Sequence, residues 1–144
     1  MKELRVLMLN GSPHANGNTA VALREMEEIF KASGVEVETV LIGNQAVRGC
    51  VACNGCAKLG KCVFDDVVNE LAPKFEQADG LVVASPVYYA SANATLVACL
   101  DRLFKRLEVN FAGRLFIQPC ADVILTIVVL IVEGKMLHIA NQTI

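Results

Sequence analysis

Leu9-Asn-Gly-Ser-Pro-His-Ala-Asn-Gly-Asn-Thr19 is a polar, glycine-containing stretch that separates an apolar run from a segment with helical periodicity. The run from Leu4 to Leu9 ahead of it is rich in Leu and Val, which is typical of a buried parallel strand. Behind it, apolar residues recur at helical spacing from Thr19 until Gly34, a residue type that commonly ends helices. The sequence therefore predicts a strand, a loop and a helix in succession.

A loop that joins a strand to a helix in this way can bind an anion, because unpaired backbone N–H groups and the positive end of the helix dipole point to one place. We expect Ser12, Asn18 and Thr19 to add side-chain donors and caps, and Gly11 and Gly17 to allow positive φ and close approach of a ligand. The predicted phosphate-binding residues are Ser12, Asn16, Gly17, Asn18 and Thr19. An ordinary turn would use the same residue types. The loop lacks the Walker A ending and the dinucleotide spacing, which argues against ATP or NAD as the ligand held here.

The length and composition indicate one small intracellular domain covering residues 1–144. The net charge of -2, with no basic cluster, predicts no nucleic-acid partner. The first apolar run is too short for a secretory signal, and the stretch from Ala121 to Val132 is too short to cross a membrane and is interpreted as a buried strand. We therefore expect a cytoplasmic protein with no membrane partner. Six cysteines in such a chain point to metal or redox chemistry rather than to disulfides.

Strand and helix patterns alternate along the chain, which predicts an α/β fold with a parallel sheet covered by helices on both faces. After the first strand and helix, the predicted elements are a strand at Val35–Ile42, a helix at Asp65–Asp79 that Pro73 should kink or interrupt, a strand at Gly80–Ser85 and a helix from about Asn93. Ligands of such sheets bind at the carboxyl ends of the strands. In a flavodoxin-like strand order, the loops after the first and third strands would face one another there.

Three motifs in this order resemble the NADPH-dependent FMN reductase and iron–sulfur flavoprotein superfamily. They are Asn10-Gly-Ser-Pro with Gly17-Asn-Thr, Ser85-Pro-Val-Tyr-Tyr, and Leu100-Asp-Arg-Leu-Phe. The resemblance extends from about Arg5 to Arg106 and implies a flavodoxin-like, three-layer αβα fold.

The same resemblance implies how FMN would bind. Ser12, Asn18 and Thr19 would hold the phosphate, and the isoalloxazine ring would be lined by Pro86, Val87, Tyr88, Tyr89 and Ser91. The residue types agree with these roles, because a dianionic phosphate suits a helix N-terminus and aromatic side chains suit a flat heteroaromatic ring. Simple packing at a strand end is the alternative for the two tyrosines.

Four cysteines lie close together at Cys50, Cys53, Cys56 and Cys62, with the spacing C-x2-C-x2-C-x5-C. The spacing places four thiolates on a short, glycine-containing backbone, and thiolates are the ligands of iron–sulfur clusters. The motif also resembles that of iron–sulfur flavoproteins and favours a [4Fe–4S] cluster. Metal-free thiols and a zinc site are the alternatives. We expect Cys99 and Cys120 to be small buried hydrophobes.

These observations predict an FMN-binding, NAD(P)H-dependent oxidoreductase that passes electrons through the cluster to an acceptor. Because the flavin ring supplies the chemistry, we predict no catalytic side chain, and the lack of a Ser-His-Asp set or a carboxylate pair counts against a hydrolase. The alternative is a non-catalytic metal- or thiol-binding module that has lost flavin binding.

The chain departs from the family pattern after about residue 107. Instead of a fourth strand with a glycine-rich flavin loop and further elements, the sequence offers one strand at Val123–Val132 and a short tail. We therefore expect a truncated or altered member whose sheet lacks the last strand and helices. Such a sheet would leave apolar surface uncovered, so we expect a homo-oligomer with a contact in Leu115–Ile144.

Overall fold

The computed structural model describes residues 3–107, 116–117 and 125–131. Strands and helices alternate as predicted over most of this range. In chain order, the elements are β1 (Arg5–Asn10), α1 (Asn18–Ala32), β2 (Glu36–Leu41), α2 (Gly55–Leu59), α3 (Val67–Gln77), β3 (Gly80–Tyr88), β4 (Ser91–Ala92), α4 (Ala94–Leu107), β5 (Phe116–Ile117) and β6 (Leu125–Ile131). The short helix α2 within the cysteine-rich segment was not predicted.

The three strands that position the candidate site are parallel and in register. β1 lies between β2 and β3, with Asn10 opposite both Leu41 and Ala84. These strands therefore reach the carboxyl edge of the sheet at one level, and the segments that follow them emerge side by side.

Helices cover both faces of the sheet, which confirms the three-layer, flavodoxin-like fold. Successive residues of β1 point to opposite faces, as the two-residue period of a strand requires. Val6 and Met8 pack with Leu23 and Phe30 of α1. Leu7 and Leu9 join the larger core on the other face, which is formed with α3 and α4 and includes Leu71, Phe75, Leu96 and Leu103.

The sheet is mixed rather than wholly parallel, which corrects one part of the prediction. Its order is β2-β1-β3-β6-β5, and β6 lies within the predicted strand Val123–Val132 but pairs antiparallel with β3. β5 is antiparallel to β6 and precedes it in the chain. The chain therefore reverses between these two strands, and β6 returns in the direction opposite to β3.

Two further expectations concern helices. Pro73 does not interrupt α3, which continues through it from Val67 to Gln77. In the part of the chain that the structure describes, no helix is both long and apolar enough to cross a membrane.

The predicted oligomer contact at Leu115–Ile144 lies outside the described residues except for β5 and β6.

Candidate functional site

The segment between β1 and α1, here called the Ser12 loop (residues 11–17), is anchored at its start by short-range hydrogen bonds. Asn10 and Ser12 are buried. The backbone N–H of Ser12 donates to Asn10 Oδ1 at 2.9 Å, and Ser12 Oγ accepts from the backbone N–H of His14 at 3.1 Å. The hydroxyl of Ser12 is thus fixed beside the first turn of the loop, while Asn16 is exposed.

The N-terminus of α1 carries no side-chain cap, which corrects the expectation that Ser12, Asn18 or Thr19 would supply one. Gly17 is the N-cap residue, and the first turn contains no acidic side chain. The first N–H with an intrahelical partner is that of Val21, which donates to the carbonyl of Gly17 at 3.1 Å. An uncapped first turn directs N–H groups toward a ligand, which is the arrangement that binds phosphate at helix N-termini. Thr19 is buried within this turn, whereas Asn18 is exposed.

Neither glycine of the Ser12 loop has positive φ, which corrects that part of the prediction, and Gly11 is required by packing. Gly17 has φ −81°, and among the described glycines only Gly34 and Gly60 have positive φ. A Cβ on Gly11 would lie 2.6 Å from Leu96 Cδ2 and 3.1 Å from the carbonyl oxygen of Ala84. Gly11 therefore lets the loop pass close to β3 and α4.

Gly43, which was not identified from the sequence, packs against the backbone of the Ser12 loop. A Cβ on this residue would lie 2.2 Å from the carbonyl carbon of Ser12 and 2.3 Å from the carbonyl oxygen of Gly11. The backbone N–H of Gly43 also donates to the carbonyl of Asn10 at 3.2 Å. A glycine directly after a predicted strand was the available signal, but its partner could not be identified without the sheet order.

The segment after β3 is a hairpin rather than an open loop. β3 continues through Pro86 and Val87 to Tyr88 and turns at Tyr89 and Ala90 into β4, which begins at Ser91. Tyr89 and Ala90 have φ 53° and 61°, the left-handed region used by tight hairpin turns, although asparagine and glycine are the residues usually found there. Strained backbone of this kind clusters at functional sites.

The tyrosines of this hairpin are presented to solvent. The side chain of Tyr89 is fully exposed and that of Tyr88 is about half exposed, so Tyr89 is not a core residue. The base of the hairpin is held by Ser85, whose Oγ accepts from the backbone N–H of Asn93 at 2.8 Å. Asn93 in turn caps α4 by accepting from the N–H of Thr95 at 2.8 Å.

The segment after β2, here called the cysteine loop (residues 48–64), brings the four predicted cysteines to one pocket. Cys50, Cys53, Cys56 and Cys62 all line it. Cys50 and Cys53 are exposed, whereas the other two are partly buried. Left-handed backbone at Ala52, Asn54 and Gly60 bends the chain around the pocket.

A buried arginine on α4 holds this loop. Arg102 is 2% exposed, and its guanidinium forms a two-point ion pair with Asp66, with N–O distances of 2.5 and 2.9 Å. It also donates to the carbonyl of Arg48 at 3.3 Å, to the carbonyl of Phe64 at 3.1 Å and, through Nε, to Cys62 Sγ at 3.3 Å. All five N–H groups of the guanidinium are thereby used. Burial lowers the pKa of Arg102, but the hydrogen bonds to Asp66 and Cys62 outweigh this effect and the pKa is raised, so the group is a permanent cation.

Asn69 and Asp66 connect the cysteine loop to α3. The backbone N–H of Cys62 donates to Asn69 Oδ1 at 2.8 Å, and Asn69 Nδ2 donates to the carbonyls of Cys62 and Phe64, both at 3.1 Å. Asp66 is the N-cap of α3 and accepts from the N–H of Val68 at 3.1 Å. Neither residue was identified from the sequence. The signal for Asp66 was its position before a helical pattern.

The pocket combines four thiols with cationic side chains, a donor set that suits an anionic iron–sulfur cluster. Within the described ranges, no three His, Cys, Asp or Glu side chains converge on a point that one ion could occupy. Thiolates are ligands of zinc sites and of iron–sulfur clusters alike. Arg102, Lys105 and Arg106 line the same pocket. Arg106 Nη1 is buried and has no hydrogen-bond partner among the described residues.

Cys99 differs from the four pocket cysteines, as predicted. It lies on α4 and its side chain is completely buried in the core. Burial, assisted by the nearby charge of Asp66, raises the pKa of its thiol to about 12, with a smaller opposing effect of Arg102. Cys99 is therefore a neutral packing residue. Cys120 lies outside the described residues.

The parallel strands, the uncapped helix N-terminus and the tyrosine hairpin define the protein as a flavodoxin-like α/β domain. The sequence model of the NADPH-dependent FMN reductase family matches residues 4–135, so the chain belongs to that family.

Several relatives carry the name iron–sulfur flavoprotein. The chain is 34% identical over 99 residues to one from Methanocaldococcus jannaschii, a match that covers 69% of this chain and 51% of the relative. It is 36% identical over 109 residues to one from Methanosarcina thermophila, covering 76% of this chain and 57% of the relative. A third, from Archaeoglobus fulgidus, is 36% identical over 107 residues, which is 72% of this chain and 46% of the relative. The chain thus spans about half the length of these curated relatives.

Proposed function

We propose that this chain is an oxidoreductase that holds FMN at the Ser12 loop and a [4Fe–4S] cluster in the cysteine loop, and that it takes electrons from NADH or NADPH. The observation that carries the proposal is the register of the three parallel strands. Leu41, Asn10 and Ala84 lie at one level, so the cysteine loop, the Ser12 loop and the tyrosine hairpin leave one edge of the sheet beside each other.

The proposed FMN site combines two parts of that edge. The phosphate would accept hydrogen bonds from the uncapped first turn of α1, with Ser12 and Thr19 beside it and Asn16, Gly17 and Asn18 completing the loop. Pro86, Val87, Tyr88, Tyr89 and Ser91 would contact the ring. Bound FMN would supply a centre that accepts two electrons as a hydride from a reduced nicotinamide and can pass them on singly.

The proposed cluster site is the pocket of the cysteine loop. Cys50, Cys53, Cys56 and Cys62 would be its ligands, and the cationic side chains of α4 would balance its negative charge. A bound [4Fe–4S] cluster would carry one electron at a time toward an acceptor. The relatives named iron–sulfur flavoprotein support this part of the proposal.

Titration with FMN tests the flavin site. The double substitution Ser12→Ala with Thr19→Ala should weaken binding by about a hundredfold or more, because each of the two lost charge-assisted hydrogen bonds is worth roughly 1.5–3 kcal/mol. His14→Ala is the matched control, because this residue of the same loop is exposed and only its backbone N–H contacts Ser12. Unchanged affinity in the double variant would refute the loop assignment. A wild-type protein that binds iron but no FMN would favour the metal- or thiol-binding module.

Iron and acid-labile sulfide analysis of anaerobically produced protein tests the cluster site. We expect about four irons per chain in the wild-type protein and loss of the cluster when any one of Cys50, Cys53, Cys56 or Cys62 is replaced by alanine. Cys99→Ala should retain it. Zinc in place of iron, or four free thiols beside bound FMN, would contradict this part of the proposal.

Anaerobic mixing with a nicotinamide donor tests the reaction. NADPH or NADH should bleach the flavin absorbance of the loaded protein, and the faster of the two identifies the donor. A flavin that dithionite reduces but neither nucleotide reduces would contradict the proposed electron source.

We also propose that the chain is a homo-oligomer. The expected contact includes part of Leu115–Ile144, and among the described residues the large apolar side chains of Val21 and Ile29 on α1 are exposed. Light scattering over a dilution series should give a mass of at least two chains. A monomer at every concentration would contradict this.

A further inference from the structure

The guanidinium of Arg102 joins both ends of the cysteine loop. Its Nη1 donates to the carbonyl of Arg48, just before the first cysteine, and its Nη2 donates to the carbonyl of Phe64, just after the last. The ring of Phe64 also lies against the guanidinium, with the central carbon 5.2 Å from the ring centroid. A single side chain thereby closes the segment that carries all four thiols.

One of the five donors is directed at sulfur. Asp66 accepts from Nη1 and Nη2, so the ion pair that neutralises the arginine and caps α3 leaves the Nε–H free for another partner. That N–H donates to Cys62 Sγ at 3.3 Å. Cys62 is the only pocket cysteine for which the described structure shows a side-chain donor to its sulfur, which sets it apart from the exposed Cys50 and Cys53.

We propose that Arg102 is a positioning residue for the iron–sulfur centre, and that its Nε–H bond to Cys62 Sγ raises the reduction potential of that centre. The inference deepens the proposed function and rests on it. Reduction adds negative charge to the thiolate-bound centre, and a hydrogen bond donated to a ligand sulfur stabilises the reduced form more than the oxidised form. The remaining four donors fix the guanidinium so that this bond keeps its geometry.

Arg102→Lys separates this role from a purely structural one. Lysine keeps the positive charge and can pair with Asp66, but it has no planar Nε–H at the position that contacts sulfur. Arg48→Lys is the matched control. Arg48 is exposed, and the central carbon of its guanidinium lies 4.9 Å from the centroid of the same Phe64 ring. Both substitutions keep the net charge and alter an arginine that touches Phe64.

The experiment is an anaerobic redox titration of the iron-loaded proteins followed by electron paramagnetic resonance, after iron has been counted in each. Arg102→Lys should lower the midpoint potential by about 59 mV, which corresponds to a tenfold change in the one-electron equilibrium constant. Arg48→Lys should match the wild-type protein. Equal potentials in wild-type protein and a fully loaded Arg102→Lys variant would overturn the inference.

A measurement on the unsubstituted side chain covers the case in which Arg102→Lys fails to load. Protein labelled with ¹⁵N only in arginine should show, in its reduced form, a hyperfine coupling between the electron spin and an arginine nitrogen, retained in Arg48→Lys. Absence of this coupling in loaded wild-type protein would overturn the inference alone. Absence of iron in the wild-type protein would overturn the proposed function and this inference together.

Discussion

The Ser12 loop and the cysteine loop leave the same edge of the sheet, but the chain fixes them in opposite ways. The start of the Ser12 loop is buried and is held by residues two positions apart in sequence, Asn10 with Ser12 and Ser12 with His14. The cysteine loop presents exposed thiols and is held by Arg102, which is 54 positions from its partner Arg48. One loop is therefore anchored by hydrogen bonds between near neighbours, and the other by side chains that are distant in sequence, chiefly the buried Arg102.

This difference predicts different weaknesses. A loop that offers backbone N–H groups should tolerate changes of exposed side chains and fail when its backbone is displaced. A loop that offers thiols should tolerate small backbone changes and fail when the buried charge that holds it is removed.

Arg102→Met should have the largest effect on the free energy of unfolding. Removing one partner of a buried ion pair typically costs 3–5 kcal/mol, and because the side chain of Asp66 is 20% exposed we expect the lower end, about 3 kcal/mol. Urea unfolding of the metal-free protein measures it. The exposed control Arg48→Met should change stability by less than about 0.5 kcal/mol. Equal losses in both variants would show that the cysteine loop does not depend on Arg102.

Gly43→Ala is the corresponding test of the Ser12 loop. The added Cβ would overlap the backbone of Gly11 and Ser12, so the loop must move, at a cost of about 2 kcal/mol. FMN titration should show lost or greatly weakened binding. Gly49→Ala is the control, because a Cβ there meets no atom within 4 Å. Normal FMN affinity in Gly43→Ala would mean that the loop is not the rigid site described.

Asn69→Ala should have a smaller effect and act only on the cysteine loop. It leaves the N–H and the carbonyl of Cys62 without their side-chain partner, while the carbonyl of Phe64 keeps Arg102, and because these groups are partly buried we expect a loss of about 1–2 kcal/mol. Urea unfolding should show this loss while FMN affinity stays unchanged. The exposed Asn44→Ala is the control. Weakened FMN binding in Asn69→Ala alone would show that the two loops are not independent.

Cys99→Ala should change the pH dependence of stability, with the smallest effect near neutrality. The ordinary thiol pKa is 9.0, whereas burial raises that of Cys99 to about 12. The neutral thiol therefore favours the folded state fully below pH 9, and this contribution is lost as the pH rises from 9 to about 12 because only the unfolded chain ionises. Urea unfolding should show the wild-type protein losing more stability than Cys99→Ala above pH 9. Parallel curves would place the thiol in contact with water.

The residues proposed to touch the ligands could be identified from the sequence because their patterns are local. A strand, a polar loop and a helix adjoin one another around Ser12, and four cysteines lie within 13 consecutive positions. The conformation of the glycines could not be read in the same way. Gly11 is required by the approach of Leu96, a residue brought close only by the fold.

The residues that hold the cysteine loop were missed because their partners are distant in sequence. Asp66 and Cys62 lie 36 and 40 positions from Arg102. The available signal was a charged residue on the apolar face of α4, beside Cys99 and Leu103, where burial demands a partner. The direction of β6 relative to β3 could not be predicted either, because an apolar run predicts a buried strand but not which way the strand runs.

The most direct test of the account is to count flavin and iron together in anaerobically prepared wild-type protein, in the Ser12→Ala with Thr19→Ala variant and in Cys53→Ala. Two centres held by separate loops predict that the first variant loses FMN and keeps iron, while the second loses iron and keeps FMN. Loss of both groups in either variant, or a wild-type protein that holds neither, would contradict it.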